Sequence, residues 1–89
     1  MGKVVRFSSS LPPSTVYIGR GSKWGNPFRI GWDGDRAEVI ARYEVWIQTK
    51  PELLAALPEL VGKDLACYCA PKPCHGDVLL KLIKESSHD

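Results

Sequence analysis

Between Cys67 and Asp77 the chain reads CYCAPKPCHGD, which gathers three cysteines, a histidine and an aspartate into eleven residues. Three chemistries suit that set. The first is a zinc site with Cys67, Cys69, Cys74 and His75 as ligands, because soft thiolates and an imidazole make a tetrahedral donor set that suits this metal. The ligand count fits, but the spacing fits poorly: ligand pairs are usually separated by roughly two to four residues, and Cys74 and His75 are neighbours. The second is a reactive thiol, since a cysteine at a helix N-terminus has its pKa lowered there, and Cys74 is the best placed of the three. The third is a pocket in which His75 and Asp77 act as hydrogen-bonding or acid–base groups while the helix start holds an anion. Against all three stands plain packing, with Cys67 and Cys69 as small core hydrophobes and Asp77 as a helix cap. Cys74, His75 and Asp77 are the catalytic candidates, and Cys67 is the member best explained by burial alone.

A second segment, GRGSKWGNPF from Gly19 to Phe28, offers three glycines, backbone N–H groups free to converge on one ligand, and Arg20, Lys23 and Asn26 as side-chain donors. It reads as a cradle for phosphate or carboxylate. It is neither a Walker A sequence nor GxGxxG, so it names no motif. Trp24 could stack on a base or ribose, but a tryptophan in a tight loop of a small domain is more often a core plug, and the same reading applies to Trp46. Trp32 is undecided.

Charge is distributed to match. The net charge is only +2, yet residues 1–30 hold Lys3, Arg6, Arg20, Lys23 and Arg29 with no carboxylate side chain. A basic first third favours an anionic partner such as a phosphorylated small molecule, a nucleotide or a nucleic-acid backbone. The competing reading is a solvated basic face balanced in the fold by the acidic remainder.

The elements that must position these groups can be read from periodicity. Val4, Val5 and Phe7 make a first strand, ended by the serines and by Pro12 and Pro13. Thr15–Ile18 make a second, and Phe28–Ile30 a brief third. Asp35, with Glu38 three residues on, is an Asp-containing relative of the capping box and opens a helix. Val39, Ile40, Tyr43, Trp46 and Ile47 form its apolar stripe, leaving Arg36, Glu44 and Gln48 toward water. Pro51 suits the first turn of a second helix, which Pro58 should end or kink. Leu65–Cys69 is short and apolar enough for a buried strand. Val78, Leu79, Leu82 and Ile83 give the stripe of a last helix, and residues 86–89 a frayed tail.

At 89 residues the chain suits a single domain with one modest core. The expected class is α/β or α+β: a short β-sheet, about three helices, and a strand–loop–helix unit at the C-terminal end. No apolar run approaches the roughly 18 residues of a membrane span, and the N-terminal stretch lacks the apolar core of a secretory signal. Three cysteines clustered within eight residues cannot staple distant segments. A cytoplasmic protein with no membrane partner is the expectation, and oligomeric state is left open.

Taken together, VYIGRGSKWGNPF, PELLAALPEL and LACYCAPKPCHGDVL resemble a family of uncharacterised bacterial and phage proteins, catalogued as domain of unknown function 4326. The resemblance runs from about Val4 to Leu82. It implies that the two turns belong to one signature and one site. Arg20, Ser22, Lys23, Trp24, Asn26, Cys69, Cys74, His75 and Asp77 map onto its motif positions; it implies no activity.

The leading expectation is a nucleotide, or another phosphorylated ligand, bound between residues 19–28 and 67–77, with nucleotide processing as its enzymatic form. Arg20, Lys23 and the last helix's N-terminus would hold phosphate. Cys74, His75 and Asp77 would face the recognised or reacting group. One rival is a zinc-stabilised module that binds nucleic acid through the basic first third; another is a structural or partner-binding accessory protein of phage or bacteria.

Overall fold

Short runs of β-branched and aromatic residues set the sheet. In the computed structural model, which describes residues 2–69 and 72–86, Val4–Arg6 form β1, Val16–Tyr17 form β2 and Leu65–Cys67 form β3. Both β1 and β2 pair in parallel with β3, which lies between them. Val4 and Val16 flank Leu65, while Arg6 stands opposite Cys67. β3 is buried along its whole length, as a central parallel strand must be, and this is why its sequence is continuously apolar rather than alternating. Because the strands are parallel, the chain leaves all three at one edge. There Phe7, Ile18 and Tyr68 begin the loops that carry the polar motifs.

Parallel neighbours need a long crossover, and the connection from β2 to β3 supplies it with two helices and a 3₁₀ turn. α1 (Arg36–Ile47) starts at a complete capping box: the Asp35 carboxylate accepts the Glu38 N–H at 2.9 Å, and the Glu38 carboxylate accepts the Asp35 N–H at 2.9 Å. Such a cap contributes about 1 kcal/mol. The expected stripe holds, with Val39, Tyr43 and Ile47 buried and Ile40 and Trp46 packed half-buried beside them. α2 (Pro51–Ala56) has Pro51 in its first turn. Pro58 cannot donate into an α-helix, so the chain tightens there into a 3₁₀ turn over Leu57–Leu60.

The short strand expected at Phe28–Ile30 does not form. Its backbone donors are committed elsewhere: the Phe28 N–H goes to the Asn26 side-chain oxygen at 2.9 Å and the Arg29 N–H to the Asp33 carboxylate at 2.9 Å. Turns closed by Asn and Asp side chains compete with a ladder in just this way.

α3 (His75–Ser86) follows β3 and packs against α1 and the 3₁₀ turn. Val78, Leu79 and Leu82 are buried on its inner face, and Lys81 on its outer side pairs with Glu44 of α1 at 2.8 Å. Gly76 lets this helix start close to the sheet: a Cβ there would lie 2.8 Å from a methyl of Val4 and 2.9 Å from one of Ile18. Of the expected frayed tail, Ser86 closes α3 and residues 87–89 lie outside the described residues. The result is the expected mixed single domain, with Ile18, Tyr43, Ile47, Leu60, Leu65 and Leu79 at its centre. No helix among the described residues is long and apolar enough to cross a membrane.

Candidate functional site

The strand edge places Cys67 at the end of β3, and the first turn of α3 returns Cys74 and His75 beside it. All three are buried, and the two sulfurs and a ring nitrogen of His75 lie within 4.8 Å of one another. Asp77 fixes the turn: its carboxylate accepts the Cys74 N–H at 3.1 Å, and its own N–H donates to the Cys74 carbonyl at 3.0 Å. Asp77 is exposed, and its visible role is capping. The Gly76 N–H points at the Cys74 sulfur at 3.3 Å, so the positive end of α3 is directed at that atom.

The ring of His75 is held from two sides. Its Nε2 sits 2.6 Å from the carbonyl oxygen of Ile18. A carbonyl only accepts, so Nε2 carries the proton, and in the neutral ring Nδ1 keeps its lone pair. Tyr43 meets the imidazole edge-on at 4.9 Å and donates its hydroxyl to the Trp24 carbonyl at 2.7 Å. Burial pushes the Tyr43 phenol well above its ordinary range, with the Cys74 charge acting in the same direction.

The two buried thiols titrate as a pair. Hydrogen bonding from Cys74 is the main cause that pushes the Cys67 thiol down, helped by the Cys69 N–H and thiol and by His75 and opposed by burial. The same bond to Cys67, together with burial, pushes Cys74 up, against the pull of the Gly76 N–H. The two shifts run in opposite directions because the pair shares one hydrogen bond, so the first proton is lost by the pair as a unit. Cys67 is buried, as packing alone would place it, and it also touches both other members of the group.

Cys67, Cys69, Cys74 and His75 share a cavity of about 280 Å³ with Gly19, Arg20 and Asn26 of the glycine turn. The two motifs thus line one cavity. Phe28, Ile30, Val39 and Ile40 give it an apolar wall, and Tyr68 lies opposite at the strand edge. The Arg20 guanidinium has no side-chain partner among the described residues, and Arg36 reaches across from the start of α1 to donate to the Pro73 carbonyl at 3.0 Å. The lining residues include two arginines and no carboxylate. Arg36, expected to face water, is half-buried on this wall; 37 residues separate it from Pro73, and no local pattern announces such a contact.

The other candidates sit elsewhere or have local roles. Lys23 pairs with Glu59 at 3.0 Å, both exposed, and is not on the cavity. The Ser22 hydroxyl donates to the Gly19 carbonyl at 2.7 Å and shapes the turn. Trp24 is 2 % exposed and plugs the core, whereas Trp32 is 85 % exposed. Asn26 lines the cavity, but its amide nitrogen holds the Val39 carbonyl at 3.1 Å, so it clamps the turn to α1. Cys69 is half-buried on the cavity and lies outside the tight group of Cys67, Cys74 and His75. Phe7, Tyr17 and Tyr68 form an aromatic cluster, with centroids 5.2 to 6.1 Å apart, and Tyr68 is its member on the cavity. The alternation of strand and loop carried no sign of that cluster.

An uncharacterised 12.4 kDa protein from the nrdA-td intergenic region of Enterobacteria phage T4 is 35% identical over 79 residues, which cover 83% of this chain and 71% of the phage protein. No solved structure matches. The family described as Domain of unknown function (DUF4326) matches residues 5–85, a span that contains both turns and every lining residue, and the chain belongs to that family.

Proposed function

We propose that the chain binds a nucleotide or another phosphorylated ligand in the cavity between the glycine turn and the cysteine turn. The observation that carries this reading is the convergence of Arg20 and Arg36 on a cavity that no carboxylate lines. Planar guanidinium groups are suited to grip phosphate through paired hydrogen bonds. The location supports the reading too, because ligands of parallel α/β sheets bind beyond the carboxyl ends of the strands, beside a helix start. Phe28, Ile30 and Val39 offer an apolar surface for the uncharged part of the ligand. Processing of that ligand by the buried Cys67, Cys74 and His75 is the enzymatic form of the same reading.

The test is calorimetric titration of the purified chain with inorganic phosphate and with nucleoside monophosphates and triphosphates. Binding is expected for the wild type and for Lys23→Ala, and a loss of at least tenfold for Arg20→Ala and for Arg36→Ala. Equal affinity in all four proteins would refute the arginine cradle.

A second reading concerns zinc. Cys67, Cys74 and His75 have the donor types and the proximity of a metal centre, and their chemistry suits zinc. The zinc-stabilised nucleic-acid module keeps three of its four expected ligands in this arrangement. Binding of single- or double-stranded DNA that falls steeply with salt would favour it.

A further inference from the structure

We infer that Cys67, Cys74 and His75 form an open metal centre for zinc or a similarly soft divalent ion, whose fourth position faces the cavity and takes an oxygen of the anion gripped by Arg20 and Arg36. This rests on the anion-binding reading above and joins it to the metal reading as one site.

Geometry supplies the first support. Ligand atoms around a tetrahedral zinc lie roughly 3.8 Å apart at ordinary bond lengths. The three donors already fall within 4.8 Å of one another, so closing on an ion asks for movements of about 1 Å or less. All three also line the cavity, which leaves the remaining coordination position on the solvent-connected side. Catalytic and substrate-binding zinc sites differ from structural ones in this respect: three protein ligands and one open position.

The second support is the ring of His75. Metal-bound histidines characteristically donate their other N–H to a backbone carbonyl or carboxylate, which fixes tautomer and orientation. Here Nε2 is bound to the Ile18 carbonyl at 2.6 Å, so Nδ1 is the nitrogen with a free lone pair. In the neutral ring this tautomer leaves Nδ1 as the nitrogen able to bind a metal. Tyr43 packs against its edge and keeps it from turning away.

Charge is the third. Two thiolates and a neutral imidazole around a divalent ion sum to zero. A metal-loaded cavity would then present Arg20 and Arg36 as the only uncompensated charges among its described lining residues, and the bound ion would itself attract an incoming anion. Metal loading and anion binding should therefore reinforce each other, each raising the affinity of the other.

Cys69 decides between an open and a closed centre. It lies on the cavity but outside the close group, so the open centre does not need it. Zinc should be measured by mass spectrometry in the purified chain, grown with zinc, for the wild type and for Cys69→Ala, Cys67→Ala, Cys74→Ala and His75→Ala. About one zinc per chain is expected in the wild type and in Cys69→Ala, and near none in the other three. Because buried substitutions can unfold the chain, the second readout uses the wild type and Cys69→Ala loaded with cobalt(II). Their visible d–d bands should shift when inorganic phosphate is added, and chelator-stripped protein should bind phosphate at least tenfold more weakly.

A folded wild type without metal overturns the inference, as does loss of zinc in Cys69→Ala, which would mark a closed four-ligand site. Phosphate binding that is the same with and without zinc also overturns it, yet leaves the anion pocket standing. Zinc bound tightly with no phosphate binding in any form overturns the anion reading and the proposed fourth ligand together.

Discussion

The Nε2 of His75 lies 2.6 Å from the carbonyl oxygen of Ile18, joining two residues 57 positions apart. Ile18 follows β2 and leads into the glycine turn, and His75 opens the helix that closes the cysteine turn. This one hydrogen bond therefore couples the two motifs and sets the tautomer of His75, the buried histidine of the cluster.

The tautomer is directly measurable. In long-range proton–nitrogen NMR spectra of chelator-treated protein near pH 8, His75 should show a protonated Nε2 and an unprotonated Nδ1. A protonated Nδ1 would contradict the geometry and remove the nitrogen available to a metal.

Gly76 tests how closely α3 must approach the sheet. An added methyl would stand 2.8 Å from Val4 and 2.9 Å from Ile18, inside normal contact distance. Gly76→Ala should destabilise the fold by about 1 to 3 kcal/mol through overpacking, despite alanine's better helix propensity. Unchanged urea denaturation would show that the sheet yields easily.

Tyr43 should make the fold alkali-sensitive. Its phenol is pushed up from an ordinary value of 10.0, so the folded state holds the proton more tightly than the unfolded one. The resulting stability is fully present below pH 10 and is lost as pH climbs toward the folded-state value. Tyr43→Phe should cost about 1 to 2 kcal/mol at neutral pH, because the Trp24 carbonyl loses its donor. It should also flatten the decline in stability above pH 10. A decline of the same steepness in the variant would assign it to other groups.

Asp35 anchors the helix that carries Arg36 to the cavity. Asp35→Ala removes the acceptor for the Glu38 N–H and should cost about 1 kcal/mol. If α1 positions Arg36 as described, phosphate affinity should fall in parallel, by about threefold or more. Full affinity in a destabilised variant would separate the cap from the site.

Much of this arrangement was legible in the chain itself, and the missing parts have a common cause. The capping box at Asp35, the stop at Pro58 and the buried strand at Leu65 are local signals, read within a few residues, and each is found in place, although the strand ends at Cys67 and leaves Cys69 in the turn. The meeting of the two turns was suggested by their shared signature. What periodicity could not show was the side-chain traffic across the fold: Arg36 turning from solvent to Pro73, Lys23 turning away to Glu59. Both depend on tertiary distances. Phe28–Ile30 misled because its strand-like composition ignores the Asn26 and Asp33 side chains that capture its N–H groups. Cys67 is buried in the core as its sequence context suggested, and its proximity to Cys74 and His75 is the part that no local pattern announces.

The most direct test of the central claim is a backbone NMR titration of the zinc-loaded chain with a nucleoside monophosphate. Saturable one-to-one shifts are expected together at Gly19, Arg20, Arg36, Tyr68, Cys69 and His75, and their absence is expected in the Arg20→Ala, Arg36→Ala double variant. Shifts confined to another surface, or none at millimolar ligand, would contradict the account.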